Sequence, residues 1–133
     1  MGTKIKRSAS TFRGFVLPPE EVQRLVGVEA VLLAQSGQPM RPNRPNVWLR
    51  SAAKFEVEFT DVTLIVDMIP AILAHAGGVE HLCSVRDQVS PEFLEINLVL
   101  PIKHSVSHDD GYVESETLQD IGRLGATLGL SFL

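Results

Sequence analysis

From Val47 to Phe59 the chain alternates between apolar and polar residues. Val47, Leu49, Ala53, Phe55, Val57 and Phe59 are set against Trp48, Arg50, Lys54, Glu56 and Glu58, with Ser51 and Ala52 as the weak steps. A period of two is the mark of a strand with one buried and one wet face. A second strand is predicted from Glu92 to Ile102, with Leu94, Ile96, Leu98, Leu100 and Ile102 inward and Phe93, Glu95, Asn97 and Val99 outward. Pro101 places its end at an edge or outside the ladder. The Ser, Thr and Lys content of Lys4 to Phe15 suits a strand with an exposed face, and the short apolar run Leu128 to Leu133 suits a terminal strand.

Between these strands the period lengthens. Pro18 and Pro19 suit a helix start, where a missing N–H costs nothing, and Glu20 and Glu21 complement the first turn. Val22, Leu25 and Val26 form the apolar stripe of this helix, and Gly27 ends it. A second helix is expected from Asp61 to Ala76, with Thr60 as N-cap, Val62, Ile65, Ile69, Ile72, Leu73 and Ala76 inward, and Gly77-Gly78 as its stop. Pro70 inside it costs about 3 kcal/mol unless a kink absorbs it. Val79 to Asp87 adds a helical turn or two. The last helix is expected from Ser115 to Leu128, with Leu118, Ile121, Leu124 and Leu128 inward and Gly129 as its cap.

These elements describe a single α+β domain over residues 1–133, in the order β-α-β-α-β-α-β. One-sided alternation argues for a single layer of about four strands in a mixed sheet, with helices on one face. Ala34 to Asn46 carries three prolines and no apolar period, so it reads as a long loop without helix or strand of its own. Loops of that length in compact domains are often functional.

The bulk composition agrees with one globular domain: 133 residues, 44% hydrophobic and 21% charged. The net charge of −4 is unevenly spread. Residues 1–54 hold nine Lys/Arg against three Asp/Glu, and residues 55–133 hold three against thirteen. Either the halves interleave in one sheet and neutralise each other, or the domain has a basic and an acidic face that steer a charged partner. The lone cysteine, Cys83, fits a reducing compartment. No apolar run has the length of a membrane span, and no apolar core follows Lys4, Lys6 and Arg7. The expected location is the cytoplasm.

Candidate chemistry is sparse. His104-x-x-x-His108 with Asp109 and Asp110 has the spacing of a helical zinc pair, but it follows a strand and enters an Asp-Asp-Gly turn, so no metal site is expected. His75 and His81 flank Gly77-Gly78 and read as helix-end residues. Gly122, Gly125 and Gly129 lie within and after a helix, unlike a phosphate loop, which opens one. Cys83 has no paired base, and there is no nucleophile elbow. No catalytic residue and no cofactor is therefore expected. Arg41, Arg44, Trp48 and Arg50 form a different kind of set, since a Trp beside arginines has the composition of an interface hot spot. The alternative is that the loop simply folds over the indole. An acidic chain without aromatics interleaved among its basic residues argues against nucleic acid.

Taken together, several segments resemble a bacterial family of a domain of unknown function, number 4279. They are Leu17-Pro18-Pro19-Glu20-Glu21-Val22 with Leu25-Val26-Gly27, the Gly/Pro/Arg loop into Val47-Trp48-Leu49, the helix after Thr60, and Glu116-Thr117-Leu118 through Leu128-Gly129-Leu130-Ser131-Phe132. Pro70 and the short terminal strand depart from that pattern. The resemblance implies a small bacterial α+β domain without established activity, of the kind found among immunity and interaction modules, and transfers no catalytic residue. The leading expectation is a non-enzymatic protein-binding module, of immunity type. The alternatives are a small-ligand or enzymatic domain with a pocket between sheet and helices, and a homo-oligomer built on an uncovered sheet face or edge.

Overall fold

The computed structural model describes residues 5–43, 45–101 and 111–133. The elements are β1 (Lys6–Arg13), α1 (Pro19–Val26), β2 (Leu32–Ala34), β3 (Ala52–Phe59), α2 (Ile65–His75), α3 (Val79–Val89), β4 (Phe93–Leu100), α4 (Ser115–Leu124) and β5 (Thr127–Phe132). The fold is α+β, with one five-stranded mixed sheet in the order β2-β3-β1-β4-β5. Its first three pairings are antiparallel, and β5 joins β4 in parallel through the α4 crossover.

One sheet face carries the core. Phe12, Ala53, Phe55, Leu94, Ile96, Leu98 and Leu100 meet Val22 and Val26 of α1, Met68, Ile69, Ile72 and Leu73 of α2, Leu82, Val85 and Val89 of α3, and Ile121 and Leu124 of α4. The register sets Phe12 between Ala53 and Leu94, and Ser10 between Phe55 and Ile96. The rings of Phe12 and Phe55 meet edge to face at 6.3 Å. The alternation of Leu94, Ile96, Leu98 and Leu100 is thus the buried face of β4, which ends before Pro101.

Several expectations are corrected. The first strand is central rather than half exposed: Ser8, Ala9, Ser10, Thr11 and Phe12 are all buried. On the polar face its Ala9 and Thr11 are small and stand between Glu56 and Asn97, and between Lys54 and Glu95, of the two neighbouring strands. The helix expected from Asp61 starts at Ile65, with Leu64 as N-cap. Thr63 N–H bonds the Thr60 carbonyl in a turn of its own, and Lys6 Nζ donates to the Asp61 and Thr63 carbonyls. Those carbonyls are turned toward the lysine, and Val62 points to solvent, 86% exposed. Pro70 is then the sixth residue of α2, on its exposed side, where it withholds a hydrogen bond from the Val66 carbonyl.

Val79 to Val89 is a full helix rather than a continuation, and it adds an element to the expected order. Gly77 and Gly78 make this possible. Both have positive φ, and a Cβ on Gly77 would fall 2.5 Å from the His81 ring. His81 lies in the first turn of α3, its Nε2 2.9 Å from the Val26 carbonyl of α1, and not at a helix C-terminus, whereas His75 does lie in the last turn of α2. The last helix stops at Gly125, whose left-handed φ of 64° and the Ala126 N–H bond to the Ile121 carbonyl close it four residues early. Leu118, expected inward, is half exposed, and Leu128 and Gly129 belong to β5. A fifth strand, β2, was not legible in the sequence. The charged halves interleave: Arg7 lies 3.7 and 3.8 Å from Glu56 and Glu58, and Arg50 lies 2.8 Å from Glu92.

Among the described residues no single helix is long and apolar enough to cross a membrane. α2 and α3 reach that length only together, across a 57° bend, and their apolar residues pack in the core.

Candidate functional site

The segment between β2 and β3 is an arm, not a structureless loop. Beyond Ala34↔Ala52 the same hairpin register continues: Trp48 N–H bonds the Gln38 carbonyl, Pro39 bridges to Val47, and Met40 N–H bonds the Asn46 carbonyl. The regular ladder is interrupted only at residues 35–37 and 49–51. There Ser36 N–H bonds the Ser51 hydroxyl at 3.0 Å, the Ser36 hydroxyl donates to the Leu49 carbonyl, and Gly37, at φ +85°, donates its N–H to the Trp48 carbonyl. Prolines hide such a ladder from a reading by composition, because alternate residues of a two-stranded arm do not need to donate a backbone N–H to the facing strand.

The interruption also explains why the strand begins at Ala52 and not at Val47. Leu49 was expected to face the core, yet it is 84% exposed. It lies past the last core layer and lines a cleft of about 590 Å³ with Arg13, Met40, Pro45, Asn46, Val47, Trp48, Arg50 and Phe93. Arg13 and Phe93 are register partners on the sheet face opposite the core, so the cleft lies between the arm and the end of that face. Trp48 is half buried and also borders a second cleft of about 360 Å³, lined by Pro19, Glu20, Leu33, Ala34, Gln35, Gln38 and Pro39. Trp48 thus borders both clefts and is partly exposed.

Glu92 lies outside the lining of the larger cleft and holds Arg50, which belongs to it. It accepts a bond from Arg50 Nε at 2.8 Å, and the guanidinium lies 5.4 Å from the centroid of the Phe93 ring. The backbone permits this through Gly14, which has a φ of +73° and whose N–H and carbonyl bond the Ser51 carbonyl and the Glu92 N–H. A Cβ at Gly14 would come within 2.7 to 2.8 Å of the Glu92 side chain.

Of the four residues singled out by sequence, Trp48 and Arg50 line the cleft, Arg41 is exposed near the arm tip, and Arg44 lies outside the described residues. Arg13, Met40, Val47, Leu49 and Phe93 complete the cleft and were not anticipated. The available signal was Phe93, an aromatic residue on the wet face of an alternating strand. His104, His108, Asp109 and Asp110 lie outside the described residues. Comparison of the chain with protein-family models, with curated proteins and with solved structures found no match in any of the three.

Proposed function

We propose that the protein is a non-enzymatic binding module whose arm and adjoining sheet end take an acidic, apolar segment of a protein partner. The observation that carries this reading is the cleft itself. Met40, Val47, Leu49 and Phe93 are exposed together, with Arg13 and Arg50 at their margin. Clustered exposed apolar side chains mark interaction surfaces, whereas scattered ones do not. Arginine paired with aromatic and aliphatic anchors is the composition of hot spots, and it favours carboxylate-bearing partners. Kinship with the family of domain of unknown function 4279, a bacterial and cytoplasmic setting and an immunity-type role belong to the same proposal, and rest on the motifs quoted above. A small-ligand site between sheet and helices is less well supported, because this cleft opens to solvent beside the arm.

A displayed-peptide selection against the immobilised protein tests the reading. Peptides that combine carboxylates with large apolar residues are expected to be enriched. Leu49→Asp, at a site too exposed to disturb the fold, is expected to weaken their binding at least about tenfold. Arg41→Glu/Arg44→Glu should slow association and flatten its salt dependence. Selected peptides that bind wild type and Leu49→Asp equally would exclude the cleft.

A further inference from the structure

We propose that two copies of the chain pair through β5, edge to edge and antiparallel, joining their sheets into one. Among the described residues β5 ends the sheet, with β4 as its one strand neighbour. Leu133 donates its N–H to the Leu100 carbonyl at 3.1 Å, so Thr127, Gly129, Ser131 and Leu133 turn their peptide groups toward β4. Leu128, Leu130 and Phe132 turn theirs to the outer edge, and among the described residues no backbone bond reaches them there. This is an unpaired template for another strand.

Natural edges are commonly blunted with lysine, proline, a bulge or inward-pointing charge. Ala126 to Leu133 contains no charged residue and no proline. Leu130 is 52% exposed and Phe132 59%, on the same face as Leu128, which touches the core. An antiparallel copy centred on Leu130 fits every free group. Leu130 faces Leu130 of the second copy, and Leu128 faces Phe132 of the second copy in both directions. Each of these three facing pairs exchanges two backbone bonds, six in all. The apolar side chains then adjoin one another on one face, and Gly129 and Ser131 on the other.

Charge argues for a second copy over a foreign strand. A chain of net charge −4 repels itself over most of its surface, but not through a stretch that holds no charge. That stretch gives an acidic or basic peptide nothing to pair with. An edge six residues long offers roughly half of the ~800 Å² per partner of a standard interface, so the dimer is weak, in the micromolar range.

The test is sedimentation equilibrium of the full chain from about 1 μM to about 1 mM, a range that brackets that affinity. The expected result is a reversible monomer–dimer equilibrium that Leu130→Lys weakens at least about tenfold, by setting two lysines face to face. Leu49→Asp should leave it unchanged. A wild type that stays monomeric throughout, or a dimer that Leu130→Lys leaves intact, overturns the proposal. The second measurement is air oxidation in a Cys83→Ser background, which holds even if the lysine variant fails to fold. Leu130→Cys should cross-link at least tenfold faster than Thr127→Cys, since facing residues of such a pair stand about 5.5 Å apart, within disulfide reach. Equal rates at the two positions would overturn it as well.

Discussion

Ser8 and Ser10 offer a controlled comparison. They lie two residues apart on the core face of the central strand β1, and both are 0% exposed. The Ser8 hydroxyl donates to the Met68 carbonyl at 3.0 Å, which fastens α2 to the sheet. The Ser10 hydroxyl, between Phe55 and Ile96, has no partner among the described residues. Serine to alanine removes one oxygen and hardly changes the shape, so the two variants isolate the worth of that oxygen in each setting. At Ser8 the net loss is that of one neutral hydrogen bond, about 1 kcal/mol. At Ser10 the oxygen is buried without compensation, a cost of about 1–3 kcal/mol that alanine relieves. A small loss of packing offsets part of the relief, so Ser10→Ala is expected to stabilise by about 1 kcal/mol. The variants should therefore straddle the wild type, separated by about 2 kcal/mol, or melting temperatures on the order of 4 °C to either side for a domain of this size. Urea titrations with unchanged slope would measure this directly. If Ser10→Ala destabilises as much as Ser8→Ala, the reasoning about the unpaired hydroxyl is refuted.

Three other outcomes are expected. Phe55→Ala removes a fully buried ring and its edge-to-face contact with Phe12, and should cost about 3–5 kcal/mol in a denaturant titration, whereas Glu56→Ala should cost little; equal losses would contradict the register. Gly14→Ala imposes a side chain at a left-handed φ against Glu92, and should destabilise by about 1–2 kcal/mol from the backbone alone. Repeating it in a Glu92→Gly background, which also removes the Cβ that would lie 2.8 Å away, should recover only the steric part, and no recovery at all would mean that Glu92 does not press on this turn. On α1, the hydrogen bond from Arg24 holds the Glu21 carboxyl below the usual glutamate range. A lowered folded value means that the pair's contribution is present above the unfolded pKa and is lost as pH falls through the folded one. An NMR titration should find the Glu21 midpoint lowered, and returned to its ordinary value by Arg24→Ala.

Much of this fold is written into the order of residues. The strand β4 follows from strict alternation, because a sheet with one buried face repeats every two residues wherever the chain stays in the ladder. The start of α1 at Pro19 and its stop at Gly27 follow from local backbone chemistry, since a ring that fixes φ and a residue free of Cβ act without regard to distant neighbours. What lies beyond reach of such reading depends on partners far along the chain. The central place of β1 is decided by pairing with β3 and β4, which buries a segment whose composition alone suits a strand with an exposed face. The late start of α2 is decided by Lys6, more than fifty residues away, binding the carbonyls that precede it. Leu49 obeys the same alternation as Phe55, yet only Phe55 has helices above it. Periodicity records which side a residue takes, and only the tertiary arrangement decides whether that side is core, cleft or open edge.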